Sequence, residues 1–158
     1  MLYDFPHARC RLRDAYRELL SSSEFTHALT LNTDREMSAT RLRDIFKNFC
    51  MNVDRVAHGK LNVRGIPSSE RLLAIAFPEN LTTNAHLHAV VDLDRLARKL
   101  NGEHELERQL ELIWKKATRG SGSAHCKPRP DRGWASYITK KADWTDPTYW
   151  ISTDFHPS

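Results

Sequence analysis

The stretch RLLAIAFPENLTTNAHLHAVVDL, residues 71–93, decides the fold class that we expect for this chain. It begins with a near-continuous apolar run, residues 71–79, which Pro78 closes, and it ends with a second run, residues 85–93. A short polar connection, residues 80–84, separates the two runs. Two apolar runs joined by so short a polar segment predict a β-hairpin.

The segments on both sides of the hairpin carry strand and helix patterns. FTHALTLN, residues 25–32, alternates in side-chain type and predicts a strand. Ser38 is a candidate N-cap for a helix whose apolar residues recur at helical spacing, namely Leu42, Ile45, Phe46, Phe49 and Val53. After the hairpin the patterns predict helices over 95–100, 103–117 and 131–144 and an edge strand over 124–127. This order predicts an α+β fold with helices packed on an antiparallel sheet. We expect residues 1–158 to form a single domain, with 1–22 as an N-terminal helical extension.

The composition is that of an ordinary globular domain, with 158 residues, 40% hydrophobic and 28% charged. No apolar run approaches the roughly 18 residues of a membrane span, and the N-terminus mixes acids and bases where a secretion signal is apolar. Three scattered cysteines, Cys10, Cys50 and Cys126, form neither a CxxC pair nor a disulfide framework. We therefore expect a cytoplasmic protein without a membrane partner. The net charge of +4 permits a nucleic-acid partner without requiring one.

The return strand of the hairpin carries the first candidate site. His86 and His88 are two positions apart, so both project from the same face of a strand and can reach one metal ion. Glu79, at the end of the outgoing strand, is the candidate third ligand, and Glu70 and Asp92 are weaker candidates. Histidine pairs at this spacing also occur by chance, as hydrogen-bonded or solvent-facing side chains.

The second candidate element is SYITK, residues 136–140. In a helix Tyr137 and Lys140 share one face. A tyrosine hydroxyl is a poor nucleophile at neutral pH unless a nearby cation lowers the cost of ionisation, and an ammonium group one turn away does this. A core tyrosine beside a surface lysine gives the same pattern. Basic and aromatic residues around this helix suit a nucleic-acid strand with unstacked bases: Lys127, Arg129, Arg132, Trp134 and Lys141.

Taken in chain order, these motifs resemble those of the HUH endonucleases of the replication-initiator type, which nick single-stranded DNA at origins of rolling-circle replication. FTHALTLN is similar to the family's first motif, HLH (residues 86–88) to its second and YITK (residues 137–140) to its third. The resemblance covers roughly residues 25–142 and implies a ferredoxin-like or RRM-like fold.

The resemblance also implies a set of site residues. The metal-binding histidines of the family fall on His86 and His88, its nucleophile on Tyr137 and its helper lysine on Lys140. Its third ligand falls on Glu79 by position rather than by motif. The implied activity uses Mg²⁺ or Mn²⁺, nicks and rejoins single-stranded DNA at an origin or hairpin, and passes through a 5′-phosphotyrosine bond with a free 3′-hydroxyl.

Several alternatives stay open at the level of sequence. Single-strand transposases of the same superfamily use the same nucleophile and metal ligands. A non-catalytic α+β module that binds nucleic acid would keep the histidines as structural residues. A zinc-dependent hydrolase of a small substrate would make Tyr137 a core residue, and two imidazoles also accept zinc. Tyr149 follows as a second tyrosine, but Ser152 stands where its lysine would be, so a single-tyrosine enzyme is expected.

Overall fold

The computed structural model describes residues 5–20, 24–59, 62–97, 103–128, 132–138, 140 and 148–156. Within them the elements are, in chain order, α1 (Phe5–Leu20), β1 (His27–Asn32), α2 (Ala39–His58), β2 (Leu73–Glu79), β3 (His86–Asp92), α3 (Asp94–Ala97), α4 (Glu103–Ala117), β4 (Ser123–Pro128), α5 (Arg132–Ile138) and β5 (Trp150–Ile151). Short 3-10 turns lie at Val63–Gly65, Ser68–Glu70 and Ser152–Phe155. No helix in this part of the chain has the length and apolar character that a bilayer crossing requires.

The strands form one antiparallel sheet in the order β4-β1-β3-β2-β5. The predicted hairpin, β2 and β3, therefore lies at the centre of the sheet, and the predicted α+β fold class is confirmed. Pro78 does not end β2, because it pairs with Leu87 and the strand continues to Glu79. A proline is tolerated there because, among the residues that the structure describes, β5 pairs with β2 only at Ile75 and Ala76, and neither pair calls for a donor at position 78.

Helices α2 and α4 cover one face of the sheet. Buried side chains of the strands, such as Leu29 and Leu87, join Phe46, Phe49 and Trp114 of these helices in the main core. The rings of Phe49 and Trp114 meet edge-on with centroids 5.5 Å apart. The indole N–H of Trp114 donates to the carbonyl of Asn32 at 2.7 Å, which fixes α4 at the end of β1.

The predicted start of α2 is confirmed in detail. The Ser38 hydroxyl accepts the N–H of Arg41 at 3.2 Å, which satisfies one of the donors that an α-helix leaves unpaired in its first turn. The helix ends at Gly59, whose φ of 62° places it in the left-handed region that glycine adopts at low cost.

Part of the opposite face of the sheet is covered by α1 and α5. Leu20 of α1 and Ala135 of α5 are buried there against Ile75, Phe77 and Val90 of the central strands. The predicted N-terminal helix thus packs on the sheet through its last residue and through Tyr16, whose ring meets that of Phe77 edge-on. The remainder of this face, at the end of the strands that carries Glu79, holds the candidate site.

Candidate metal centre

The strand register brings the predicted ligands together. Glu79 pairs directly with His86 across the hairpin, and His88 follows two positions along on the same face. The Glu79 carboxylate oxygen lies 3.2 Å from Nε2 of His88 and 3.6 Å from Nε2 of His86. The ligand atoms of all three residues lie within 4.8 Å of one another. The hairpin therefore does place Glu79 beside both histidines.

The other ring nitrogen of each histidine is engaged by the protein. Nδ1 of His86 donates to the carbonyl of Asn84 at 2.9 Å, and Nδ1 of His88 lies 3.3 Å from the hydroxyl of Thr30. The two rings are nearly perpendicular, at 87°, with centroids 4.9 Å apart. Because a carbonyl only accepts, the proton of neutral His86 is on Nδ1 and Nε2 is the nitrogen presented to an ion. The Thr30 hydroxyl, which can donate or accept, helps to hold the ring of His88 in its orientation.

The electrostatic environment favours the neutral form of His88. The residue is 5% exposed. Burial is the main cause that lowers its pKa below the ordinary value, the adjacent His86 and the Lys140 ammonium act in the same direction, and the Glu79 carboxylate opposes them. An imidazole must be deprotonated to coordinate a metal, so this environment favours the ligating form at neutral pH.

The donor set fits a divalent ion. Two imidazole nitrogens and one carboxylate oxygen are the ligands of sites that keep open coordination positions for a substrate. Ligand atoms bound to one ion at about 2.1 Å lie about 3.0–3.5 Å apart, close to the 3.2 and 3.6 Å found between Glu79 and the two histidines. The site therefore needs little rearrangement to close around an ion.

The weaker candidate ligands lie elsewhere. Asp92 is at the opposite end of β3, where its carboxylate pairs with the Arg95 guanidinium at 3.0 Å. Glu70 belongs to the 3-10 turn before β2, and its carbonyl accepts a hydrogen bond from His58. Neither belongs to the Glu79, His86 and His88 cluster.

Helix α5 lies directly against this cluster. The ring of Trp134 meets the ring of His88 edge-on, with centroids 6.4 Å apart and an angle of 87°. The charge of exposed Lys140, just beyond α5, acts on His88. The backbone of Tyr137 belongs to α5 and lies one helical turn after Trp134, while its side chain lies outside the described part of the chain.

Of the residues predicted to bind nucleic acid, two have described side chains and three do not. Trp134 lies at the cluster, and Lys127 is exposed on edge strand β4. The side chain of Arg132 and the whole of Arg129 and Lys141 lie outside the described residues.

Thr30 and His125 are two further polar residues of this face that the sequence did not single out. Thr30 pairs with His88 on one side and with His125 on the other, so the three residues form one row across β3, β1 and β4. The alternation in FTHALTLN already turned Thr30 away from the core. Its contact with His88 depends on the β1–β3 register, which the sequence does not state.

Replacing Thr30 by valine tests whether the Thr30 hydroxyl helps to orient the ring of His88. The change removes the hydroxyl beside Nδ1 with little change of shape, and loss of an outer hydrogen-bond partner typically weakens metal affinity by about 10–100-fold. We expect a rise of that size in the dissociation constant for Mn²⁺, measured by isothermal titration calorimetry. Thr30→Ser, which keeps the hydroxyl, should bind nearly as wild type. Equal affinities of the valine variant and wild type would show that Thr30 does not orient His88.

Comparison of the chain with protein-family models, with curated proteins and with solved structures finds no match.

Proposed function

We propose that this chain is a metal-dependent endonuclease and strand transferase that nicks single-stranded DNA and forms a 5′-phosphotyrosine bond, as the HUH endonucleases of rolling-circle replication do. The observation that carries the proposal is the convergence of Glu79, His86 and His88 beside α5, the helix whose backbone carries Tyr137. The contact between Trp134 and His88 brings the predicted nucleophile's helix to the predicted ligands, although about fifty residues separate them in the chain.

Each residue of the site has a separate role in the proposed reaction. A divalent ion held by Glu79, His86 and His88, Mg²⁺ or Mn²⁺ by this proposal, supplies Lewis-acid polarisation of the scissile phosphate when bound. The Tyr137 hydroxyl gives up its proton and its oxygen forms a bond to phosphorus, while the bond from phosphorus to the 3′-oxygen breaks and that oxygen takes up a proton. Lys140 contributes positive charge near the developing negative charge. Reversal of the same step by another 3′-hydroxyl rejoins the strand.

The part of the sheet face beside the cluster suits a single strand of nucleic acid. Lys127 and His125 are exposed on β4, and His125 lies in the same row as Thr30 and His88. Trp134 offers an indole at the cluster, and stacking of bases on aromatic side chains together with phosphate contacts to basic side chains is the usual mode of sequence-tolerant binding. Binding of this kind weakens as salt concentration rises. The scattered cysteines agree with a reducing compartment, so the proposal places the enzyme in the cytoplasm.

The proposal is tested by trapping the covalent product. The full-length protein is mixed with a pool of random single-stranded oligonucleotides and Mn²⁺, and the products are separated on a denaturing gel. We expect a denaturation-resistant protein–DNA adduct that EDTA prevents, and sequencing of the trapped DNA gives the preferred target. Binding to the same pool with no adduct and no dependence on metal would overturn the proposal in favour of a non-catalytic nucleic-acid-binding module.

A further inference from the structure

We propose that His27, Glu107 and Cys126 form a second metal site, selective for Zn²⁺, on the face of the sheet that α2 and α4 cover. One ligand atom from each residue, a histidine nitrogen, a carboxylate oxygen and a sulfur, lies within 4.8 Å of the other two. The Glu79, His86 and His88 cluster does not use these residues, and it lies on the other face. His27 shares its face with core residues Leu29 and Leu31 of β1, whereas Thr30 points to His88.

The fold brings these three residues together from distant parts of the chain. Strands β1 and β4 are antiparallel neighbours in which Leu29 pairs with Cys126 and His27 pairs with Pro128. His27 and Cys126 are therefore diagonal neighbours on one face, a distance that side chains of this size span. Glu107 comes from α4, which packs against this part of the sheet.

His27 is oriented in the way that metal-binding histidines are. The residue is 3% exposed, and its Nδ1 lies 2.8 Å from the Thr26 hydroxyl oxygen. That oxygen also accepts the N–H of Leu93 at 2.9 Å, so the hydroxyl is itself held in place. With Nδ1 engaged by an outer partner, Nε2 is the nitrogen that would coordinate the ion.

The chemistry of the donors selects zinc rather than the hard ion proposed for the first site. A thiolate and an imidazole favour Zn²⁺ over Mg²⁺ and Mn²⁺, which favour oxygen ligands. Tetrahedral zinc holds its ligand atoms about 3.3–3.8 Å apart, so movements of about 1 Å would close the cluster. Three protein ligands leave one position for water, and a groove of about 300 Å³ lined in part by half-buried Glu107 and Cys126 gives access from solvent. Binding would release the thiol proton and tie α4 to the edge strand β4.

Titration of the full-length protein with Co²⁺, a spectroscopic substitute for zinc, tests this proposal. Only a site with a cysteine ligand gives a thiolate-to-cobalt charge-transfer band in the near ultraviolet, so the His86 and His88 site is silent in this measurement. We expect a band that Zn²⁺ removes by displacement, and in His88→Ala, where the first site no longer competes for Co²⁺, the band should saturate at about one ion per chain. His88→Ala should keep the band, which makes the result independent of the function proposed above.

Two variants assign the ligands. Cys126→Ser should abolish the band, and Glu107→Gln should keep the band but raise the cobalt dissociation constant at least about 10-fold. Circular dichroism and the thermal transition of each variant show whether it folds. The absence of a band from folded wild-type protein, or its persistence in Cys126→Ser, would overturn the proposal. A band of unchanged affinity in Glu107→Gln would remove Glu107 from the site.

Discussion

Replacing Asp54 by alanine is expected to lower the free energy of unfolding by about 3–5 kcal/mol. Asp54 lies in α2 and is 1% exposed. Its carboxylate accepts the Nε–H of Arg71 at 2.9 Å and the backbone N–H of Leu72 at 2.7 Å. Alanine leaves the Arg71 guanidinium, which is 2% exposed, buried without its counter-charge. For a chain of this length the loss corresponds to a fall in Tm of about 6–20 °C, measured by urea and thermal denaturation.

Two further variants separate the contribution of the Asp54–Arg71 ion pair to stability from that of the hydrogen bond to Leu72. Asp54→Asn keeps an acceptor for the Leu72 N–H and should destabilise less than Asp54→Ala. The double variant Asp54→Asn, Arg71→Met removes both charges, and it should recover much of the loss because no buried charge is left alone. A free energy of unfolding for Asp54→Ala within about 0.5 kcal/mol of wild type would contradict the prediction.

The hairpin and its ligands follow from short-range patterns in the sequence. Two apolar runs with a brief polar connection leave little choice of pairing, and a slip of one residue would turn the core side chains to the other face. The five-residue connection 80–84 lets Glu79 fold back beside His86, and the observed register has this pairing. The helix cap at Ser38 is equally local, because it depends on residues within one turn.

The parts that sequence patterns missed depend on pairing between distant segments. Strand β5 has only two residues, Trp150 and Ile151, which is too short to show an alternation. It is held by its pairing with β2 and by the Ser152 hydroxyl, which donates to the Leu72 carbonyl at 2.7 Å and accepts the Ala74 N–H at 2.9 Å. None of these contacts leaves a signal near residue 150.

The cluster of His27, Glu107 and Cys126 was missed for the same reason. Metal motifs are recognised in sequences by fixed short spacings, and these three residues lie far apart in the chain. Cys126 by itself gave no reason to assign a role. The pairing of β1 with β4 and the packing of α4 bring the three donors together. The role of Thr30 is hidden in the same way, because it appears only once β1 is placed beside β3.

Tyr137→Phe and His88→Ala are expected to separate the two parts of the proposed reaction. Removing the Tyr137 hydroxyl removes the atom that would bond to phosphorus, so the covalent adduct should disappear while the affinity for Mn²⁺ stays at the wild-type value. Removing the His88 imidazole takes away one of three ligands, so Mn²⁺ affinity should fall by more than about 100-fold, beyond the effect typical of an outer-shell partner, and the adduct should fall with it. Calorimetry measures the affinity for Mn²⁺. The denaturing gel, run with Mn²⁺ and the selected oligonucleotide, measures the amount of covalent adduct.

His58→Ala is the matched control for loss of an imidazole, because His58 contacts the Glu70 carbonyl away from the cluster and should affect neither measurement. An adduct formed by Tyr137→Phe would mean that another residue attacks the phosphate, and Tyr149 would then be the next side chain to replace. Wild-type Mn²⁺ affinity in His88→Ala would remove His88 from the metal site and leave its contacts with Thr30 and Trp134 as structural ones. The proposal expects both variants to lose the adduct and His88→Ala alone to lose metal binding. That result requires a tyrosine nucleophile and a histidine-bound metal in one reaction. Neither a nucleic-acid-binding module nor a zinc hydrolase of a small substrate would give it.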